Sequence, residues 1–168
     1  MTTSRPINPS LFLRPEELRR AADLMLFAHR DFSRLGHEIL TDAGLGAADH
    51  RALHVIGRNP NMTVGALLAT LKVTKQSLHR TLRQLVDQGL IVQNQSRNDR
   101  RQKLLRLSEE GETLLKAVEA RQHDRIIAAY RKAGPNAIAP FWEILLYLTD
   151  PEDREAIRHA LDLDDVLP

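Results

Sequence analysis

Near its start the chain carries a run of apolar residues that recur at alternating spacings of three and four. The run lies between Glu16 and Thr41 and consists of Leu18, Ala21, Met25, Ala28, Phe32, Leu35 and Ile39. This spacing is typical of one face of an amphipathic helix, so one continuous helix is predicted here, ended by Gly44 and Gly46. An apolar stripe of this length needs a surface to pack against.

Two shorter helices are predicted next. The first spans about Ala47 to Arg58, where the breaker Asn59-Pro60-Asn61 follows it. The second begins after Thr63, a suitable N-cap, and continues through Leu71. The residues expected to face a core are Ala48, Ala52, Val55 and Ile56 in the first helix and Ala66, Leu67 and Leu71 in the second.

The following helix has the clearest start signal in the sequence. Thr74 is predicted as its N-cap, and Val73 can pack on Leu78 as a hydrophobic staple. Gly89 supplies the stop. The expected inward face is Leu78, Leu82, Leu85 and Val86. The other faces carry Lys75, Gln76, Ser77, His79, Arg80 and Arg83, which makes the outer surface basic and rich in hydrogen-bonding groups.

A charged β-hairpin is predicted after this helix. Two strand-like runs, Leu90 to Gln95 and Lys103 to Leu107, are joined by a polar turn. The turn reads Ser96-Arg97-Asn98-Asp99-Arg100-Arg101. From Lys72 to Arg106 there are nine Lys or Arg residues against two acids, a balance that favours binding to a polyanion.

The rest of the chain is predicted to be helical. Ser108 is expected to cap a long helix that ends near Lys132, because Gly134-Pro135 cannot continue it. A helix ending near Leu148 follows, and a last one starts at Asp150-Pro151. The predicted fold class is therefore mainly α with a small β-hairpin wing.

Composition excludes several classes of protein. There are no cysteines, so disulfides and thiolate metal sites are absent and a reducing cytoplasm is the expected location. No signal peptide or membrane-spanning run is seen, so no membrane partner is expected. No nucleophile stands beside a base and no glycine loop is built to hold phosphate, and Ser77 and His79, two apart on a helix, cannot form a relay. The protein is predicted not to be an enzyme, and no cofactor is predicted.

Three stretches in order resemble the multiple antibiotic resistance regulator (MarR) family. The first is Thr63-Val64-Gly65-Ala66-Leu67-Leu68 leading to Val73-Thr74-Lys75-Gln76-Ser77-Leu78-His79-Arg80-Thr81-Leu82. The second is Leu85-Val86-Asp87-Gln88-Gly89-Leu90-Ile91. The third is Asp99-Arg100-Arg101-Gln102-Lys103, which runs into Leu107-Ser108-Glu109-Glu110-Gly111. Together they are similar to that family over residues 45 to 111.

The resemblance implies a winged helix-turn-helix domain over residues 45–107. It also implies a helical dimerisation domain formed by residues 16–43 and 108–168, in which the helices of two chains interlock. The expected protein is a homodimeric transcriptional regulator, a repressor, that binds double-stranded DNA. Two-fold symmetry predicts an inverted-repeat operator.

The resemblance also assigns contacts. The basic helix is expected in the major groove, with Gln76 reading adenine and Arg80 reading guanine. Lys75, Ser77 and Arg83 suit phosphates or mixed contacts, and His79 is a DNA contact or a surface residue. In the hairpin, Arg101 is expected in the minor groove, Arg100 near a phosphate and Asp99 bracing the turn, with Lys103 also a DNA contact.

A small aromatic or carboxylate ligand is expected, by the same resemblance, to release the DNA. Its cleft would draw on Phe27, His29, Arg30, His50 and His54.

Two alternatives stay open at this point. His50 and His54, four apart on a helix, form a metal-responsive site if His37 or Asp49 completes it, although no metal is the preferred prediction. The second alternative is a winged-helix module that binds protein instead of DNA. Such a module is expected to lack the basic outer face and the wing arginines, so the run from Asp99 to Lys103 argues against it.

Overall fold

The computed structural model describes residues 13–95 and 102–167. The chain divides into two compact units, Met1–Gln122 and His123–Pro168. The elements of the first unit are α1 (Pro15–Ser33), α2 (His37–Asp42), α3 (Ala47–Arg58), β1 (Met62–Thr63), α4 (Val64–Leu71), α5 (Lys75–Asp87), β2 (Ile91–Gln95), β3 (Lys103–Leu107) and the first part of α6 (Glu109–Ala133). The mainly helical fold class with a small β wing is confirmed.

The stretch predicted as one long helix is two helices, so that prediction is wrong. The chain breaks at Gly36, whose φ of 76° is left-handed. A Cβ at Gly36 would lie 2.8 Å from Cγ1 of Val118, a fully buried residue of α6. The break therefore lets the chain approach α6 closely and turns Leu40 of α2 into the core, while α1 buries none of its residues.

The sheet has three antiparallel strands in the order β1-β3-β2. The hairpin of β2 and β3 is confirmed, with Ile91 opposite Leu107 and Gln95 opposite Lys103. The two-residue strand β1 was not predicted. It pairs Met62 with Leu105, so β3 is the central strand.

The core of the first unit joins α3, α4, α5, the sheet and α6. Its largest fully buried side chains are Leu53, Ile56, Leu67, Leu85, Leu105 and Val118. Leu53 was not among the predicted inward residues. Ala66 and Val86 were, but both are exposed, Val86 at 38%, whereas their chain neighbours Leu67 and Leu85 take the fully buried positions.

The contacts at the start of α6 explain why Ser108 and Gly111 stand where they do in the stretch from Leu107 to Gly111. The Ser108 hydroxyl accepts a hydrogen bond from the amide of Gly111 at 3.0 Å, as predicted for an N-cap. The Ser108 amide donates to the Leu90 carbonyl at 3.1 Å. A Cβ on Gly111 would overlap that same carbonyl oxygen and lie 3.0 Å from its carbon. Only glycine allows α6 to begin this close to Leu90.

The second unit contains the end of α6, a 3-10 turn at Pro135–Ala137, α7 (Ile138–Tyr147) and α8 (Arg154–Ala160). The indole Nε1 of Trp142 donates to the hydroxyl of Tyr130 at 2.6 Å, which ties α7 to α6. The last helix starts later than the predicted Asp150-Pro151, because these residues form a turn closed by the Asp153 amide donating to the Asp150 carbonyl at 3.0 Å. A search of the described helices finds none long and apolar enough to span a membrane.

Candidate nucleic-acid interface

Helix α5 has one buried face and one solvent face. Leu78, Leu82 and Leu85 point into the core at 4% exposure or less. The Thr74 hydroxyl caps the helix by accepting from the Ser77 amide at 3.2 Å, as predicted. The helix is therefore held in the domain by one side, and the opposite side stays available to a partner.

The solvent face carries the predicted DNA contacts. Lys75, Gln76, His79, Arg80 and Arg83 are exposed, and Ser77 is half-buried. Gln76, Arg80 and Arg83 follow one another at spacings of four and three, which places them on one line along the helix. Lys75, Arg80 and Arg83 are the Lys and Arg residues of this face. Within residues 13–95 and 102–167, none of these three forms an ion pair. Their positive charge is directed to solvent.

One long-range hydrogen bond and the turn that follows α4 position α5. The Gln84 side-chain amide donates to the Gly44 carbonyl at 2.7 Å, which links the helix to the segment before α3. On the other side, α4 is capped by the Thr63 hydroxyl, which accepts from the Ala66 amide at 3.1 Å. Lys72, with a left-handed φ of 50°, forms the turn between α4 and α5. Sequence reasoning missed the Gln84 contact because nothing local marks it.

The hairpin places Lys103 beside the tip. Its side chain is exposed, and it lies opposite Gln95 in the last described pair of the ladder. Asp99, Arg100 and Arg101, predicted to brace the tip and to contact DNA, lie outside the described residues.

The residues predicted for a ligand cleft form two separate groups. In α1, the Arg30 guanidinium lies 5.1 Å from the ring centroid of Phe27, and Arg30 Nε is 2.8 Å from a carboxylate oxygen of Asp31. His29 Nδ1 lies 3.4 Å from the Ser33 hydroxyl. No hydrogen bond, ion pair or ring contact joins this group to His50 or His54 in the part of the chain that the structure describes.

His50 and His54 form the second group, on α3. Their ring centroids are 6.3 Å apart in an edge-to-face arrangement, and His54 Nδ1 lies 3.5 Å from Glu119 Oε1 of α6. Nε2 of His50 is buried and has no hydrogen-bond partner among the residues that the structure describes. Burial, and after it the charge of His54, lowers the pKa of His50, and Glu119 opposes the shift. Glu119 was not predicted, because it comes from a distant helix.

Among the described residues, the histidine pair gains no third metal ligand. The Asp49 carboxylate accepts a hydrogen bond from the Gly46 amide at 2.9 Å and so caps α3. Across the described ranges, no three histidine, aspartate or glutamate side chains are grouped to hold a metal ion.

Acid is expected to destabilise the fold through His50. Because its pKa is lowered from 6.5 in the folded chain, the unfolded chain binds the proton more readily. The contribution of neutral His50 to stability is complete above the pKa that His50 has in the unfolded chain. It is lost as the pH falls below that pKa. We expect the free energy of unfolding, measured with urea at several pH values from about 7.5 to about 5, to fall less steeply in His50→Gln than in wild type. The exposed His79→Gln serves as control, and an unchanged slope in His50→Gln would contradict the assignment.

The arrangement of α4, α5 and the hairpin defines a winged helix-turn-helix protein. The chain belongs to the MarR family of transcriptional regulators: the MarR family model matches residues 43–102. The HTH-type transcriptional regulator PetP of Rhodobacter capsulatus is 43% identical over 155 residues, which cover 92% of this chain and 92% of PetP. The predicted family is confirmed.

Solved structures share the fold. A mutant MarR from E. coli complexed with operator DNA has a TM-score of 0.62 and 22% identity, covering 83% of this chain and 99% of that one. NadR in complex with 4-hydroxyphenylacetate has a TM-score of 0.62 and 22% identity, covering 88% and 97%.

Proposed function

We propose that this regulator binds an inverted-repeat operator in double-stranded DNA as a homodimer. The observation that carries the proposal is the outer face of α5, where five exposed polar side chains stand on a helix whose other face is locked in the core. A similar fold, that of E. coli MarR, has been solved with operator DNA. An α-helix fits the major groove of B-form DNA, and the N-terminal residues of such a helix reach the base edges.

The side chains of α5 divide into two roles. Gln76 and Arg80 lie one turn apart on the outer line, where a glutamine can pair with adenine and an arginine with guanine. We assign Lys75, Ser77 and Arg83 to phosphate or mixed contacts, and His79 to a further DNA contact or to the surface. Phosphate contacts position the helix without reading sequence.

The hairpin supplies a second contact region. Lys103 is exposed at the tip end of β3, and we assign it to the backbone. Arg101 enters the minor groove, Arg100 approaches a phosphate and Asp99 braces the turn. A narrow minor groove attracts arginine through its enhanced negative potential.

Exposed apolar side chains support a homodimer. In α1, Leu18, Leu24 and Leu26 are 53–69% exposed. In the second unit, the exposed apolar residues are Ile127, Phe141, Ile144, Leu145, Tyr147, Leu148, Leu161 and Val166. Large exposed apolar surfaces mark interaction sites. We therefore assign residues 16–43 and 108–168 to dimerisation and 45–107 to DNA binding.

A ligand would control this binding. We infer that a small aromatic or carboxylate molecule releases the DNA, that the protein acts as a repressor, and that Phe27, His29, Arg30, His50 and His54 contribute to the ligand cleft. NadR, with a similar fold, has been solved with 4-hydroxyphenylacetate. Release requires only that ligand and DNA favour different arrangements of the two DNA-binding domains.

Selection from a random duplex library, followed by fluorescence anisotropy at several salt concentrations, tests the DNA proposal. An inverted repeat should emerge, bound by two chains per duplex, with affinity falling steeply as salt rises. Arg101→Ala should weaken binding and flatten the salt dependence, because fewer counterions are released. Arg51→Ala, an exposed arginine of α3 outside the interface, is the matched control. Failure to enrich any sequence, with a shallow salt dependence, would favour a protein-binding module instead.

A further inference from the structure

The segment between α2 and α3 begins with a well-anchored turn. Gly44 has a left-handed φ of 70°, and its amide donates to the Thr41 carbonyl at 2.8 Å. The Leu45 amide donates to the Leu40 carbonyl at 2.7 Å, which completes a Schellman motif at the end of α2. Leu40 and Leu45 are both buried in the core. The Gly44 carbonyl is therefore held at a fixed position beside α5.

One side chain of α5 bonds to this carbonyl. Nε2 of the half-buried Gln84 donates to it at 2.7 Å, across 40 positions of sequence. Among the described residues, this is the only hydrogen bond that a side chain of α5 donates to another segment of the chain. Gln88 lies one turn further along, and its Nε2 would be 3.8 Å from a Cβ on Gly44. The side chain of Gln88 makes no hydrogen bond within residues 13–95 and 102–167, so it offers a matched comparison.

The Gln84 hydrogen bond restrains α5 in a way that its leucine face does not. Apolar contacts are non-directional, so Leu78, Leu82 and Leu85 hold α5 in the core but allow it small rotations and shifts. A hydrogen bond of 2.7 Å is directional, and it fixes the C-terminal half of α5 against the end of α2. Gln84 lies one turn from Arg80 on the same side of the helix. A rotation of α5 that broke this bond would therefore also move Arg80.

We propose that Gln84 is a positioning residue for operator binding, because its bond to Gly44 sets the distance and angle between the two α5 helices of the dimer. This inference rests on the proposed function, in which residues 16–43 belong to the dimerisation segment and α5 reads a half-site. Gly44 lies at the boundary between residues 16–43 and the DNA-binding domain, so the bond ties α5 directly to the end of the dimerisation segment.

The consequence for the operator is a preferred spacing between its half-sites. Each base pair inserted between two half-sites moves one of them by about 3.4 Å along the duplex and by about 35° around it. An α5 helix that is tied to Gly44 follows this displacement poorly, so an operator with the wrong spacer loses affinity. Without the bond, α5 adjusts more easily, and the protein discriminates less between spacers.

Anisotropy with duplexes that differ in their spacer measures this role. The selected operator is compared with versions whose spacer is one base pair longer or shorter, and with a duplex in which one half-site is scrambled. Gln84→Met, similar in length but without a donor, should reduce the discrimination between spacers by about fivefold, the effect of losing one hydrogen bond. Its affinity for the half-scrambled duplex should equal that of wild type, because Gln84 bonds to Gly44 and not to DNA. Gln88→Met should match wild type on every duplex.

A measurement without DNA tests the helix distance directly. The chain contains no cysteine, so His79→Cys places one spin label on the exposed side of α5 in each protomer. Double electron–electron resonance then gives the distance between the two labels of the dimer. The distribution should be narrow with Gln84 present and in Gln88→Met. It should be broader in Gln84→Met and in Gln84→Glu, whose carboxylate cannot donate. Thermal unfolding checks that each variant is folded.

Several outcomes would overturn the positioning role. These are a spacer preference in Gln84→Met equal to that of wild type, the same change in Gln88→Met, label distances that do not depend on residue 84, or an equal loss of affinity on all duplexes. The last would show that Gln84 supports the fold alone. A dimer whose label distance depends on Gln84 but that selects no operator would retain Gln84 as the residue that sets the helix distance, and would reject the proposed function. A chain that is monomeric in solution would reject both.

Discussion

Replacing Gly111 by alanine is expected to lower the free energy of unfolding by about 3 kcal/mol. The added methyl group would overlap the Leu90 carbonyl oxygen, a backbone atom that cannot move aside as a flexible side chain can. Relief requires α6 to shift away from Leu90, which breaks the hydrogen bond from the Ser108 amide to that carbonyl. Urea unfolding followed by circular dichroism measures the loss.

Gly65→Ala is the matched control. Gly65 is an exposed helical glycine of α4, and the nearest described atom to a Cβ there would be the Thr63 hydroxyl oxygen, at an ordinary contact distance of 3.8 Å. Alanine at such a position is expected to stabilise the helix by up to about 1 kcal/mol. If both variants changed stability by the same small amount, the close approach at Gly111 would not exist.

Arg80→Ala is expected to weaken operator binding by about tenfold to a hundredfold, the effect of losing one bidentate base contact. Arg80 is exposed on the outer line of α5 and carries no ion pair within the described parts of the chain, so its removal leaves the fold intact. The loss should be largest on the selected operator and small on unrelated duplexes. Anisotropy with both duplexes measures this ratio.

Arg83→Ala separates the two roles on α5. As a phosphate contact, Arg83 should contribute equally on every sequence, so its variant should weaken both duplexes alike and lower the salt dependence. Arg51→Ala should change neither. An Arg80 variant that lost affinity equally on both duplexes would show that this residue does not read bases.

Local sequence signals were sufficient for α5 and the hairpin. Thr74, the leucine spacing and Gly89 all act within a few residues, so the helix they predict forms with the expected cap and solvent face. The basic outer face followed from the same spacing, since residues that do not face the core must face solvent.

The features that were missed depend on contacts between distant segments. The break at Gly36 exists because Val118 of α6 packs there, and a repeating apolar pattern continues through such a break unchanged. The strand β1 needs β3 as its partner, and two residues carry no periodicity of their own.

The division of α5 into two faces has a consequence for how such regulators diversify. Leu78, Leu82 and Leu85 hold the helix in the core and Gln84 bonds it to the Gly44 carbonyl, while Gln76 and Arg80 lie exposed on the outer face. If the proposed function holds, exchanging Gln76 or Arg80 is therefore expected to alter which operator is recognised at little cost in folding. On this proposal, a duplicated copy of the protein would change its operator preference through substitutions on this outer face, with its core unchanged.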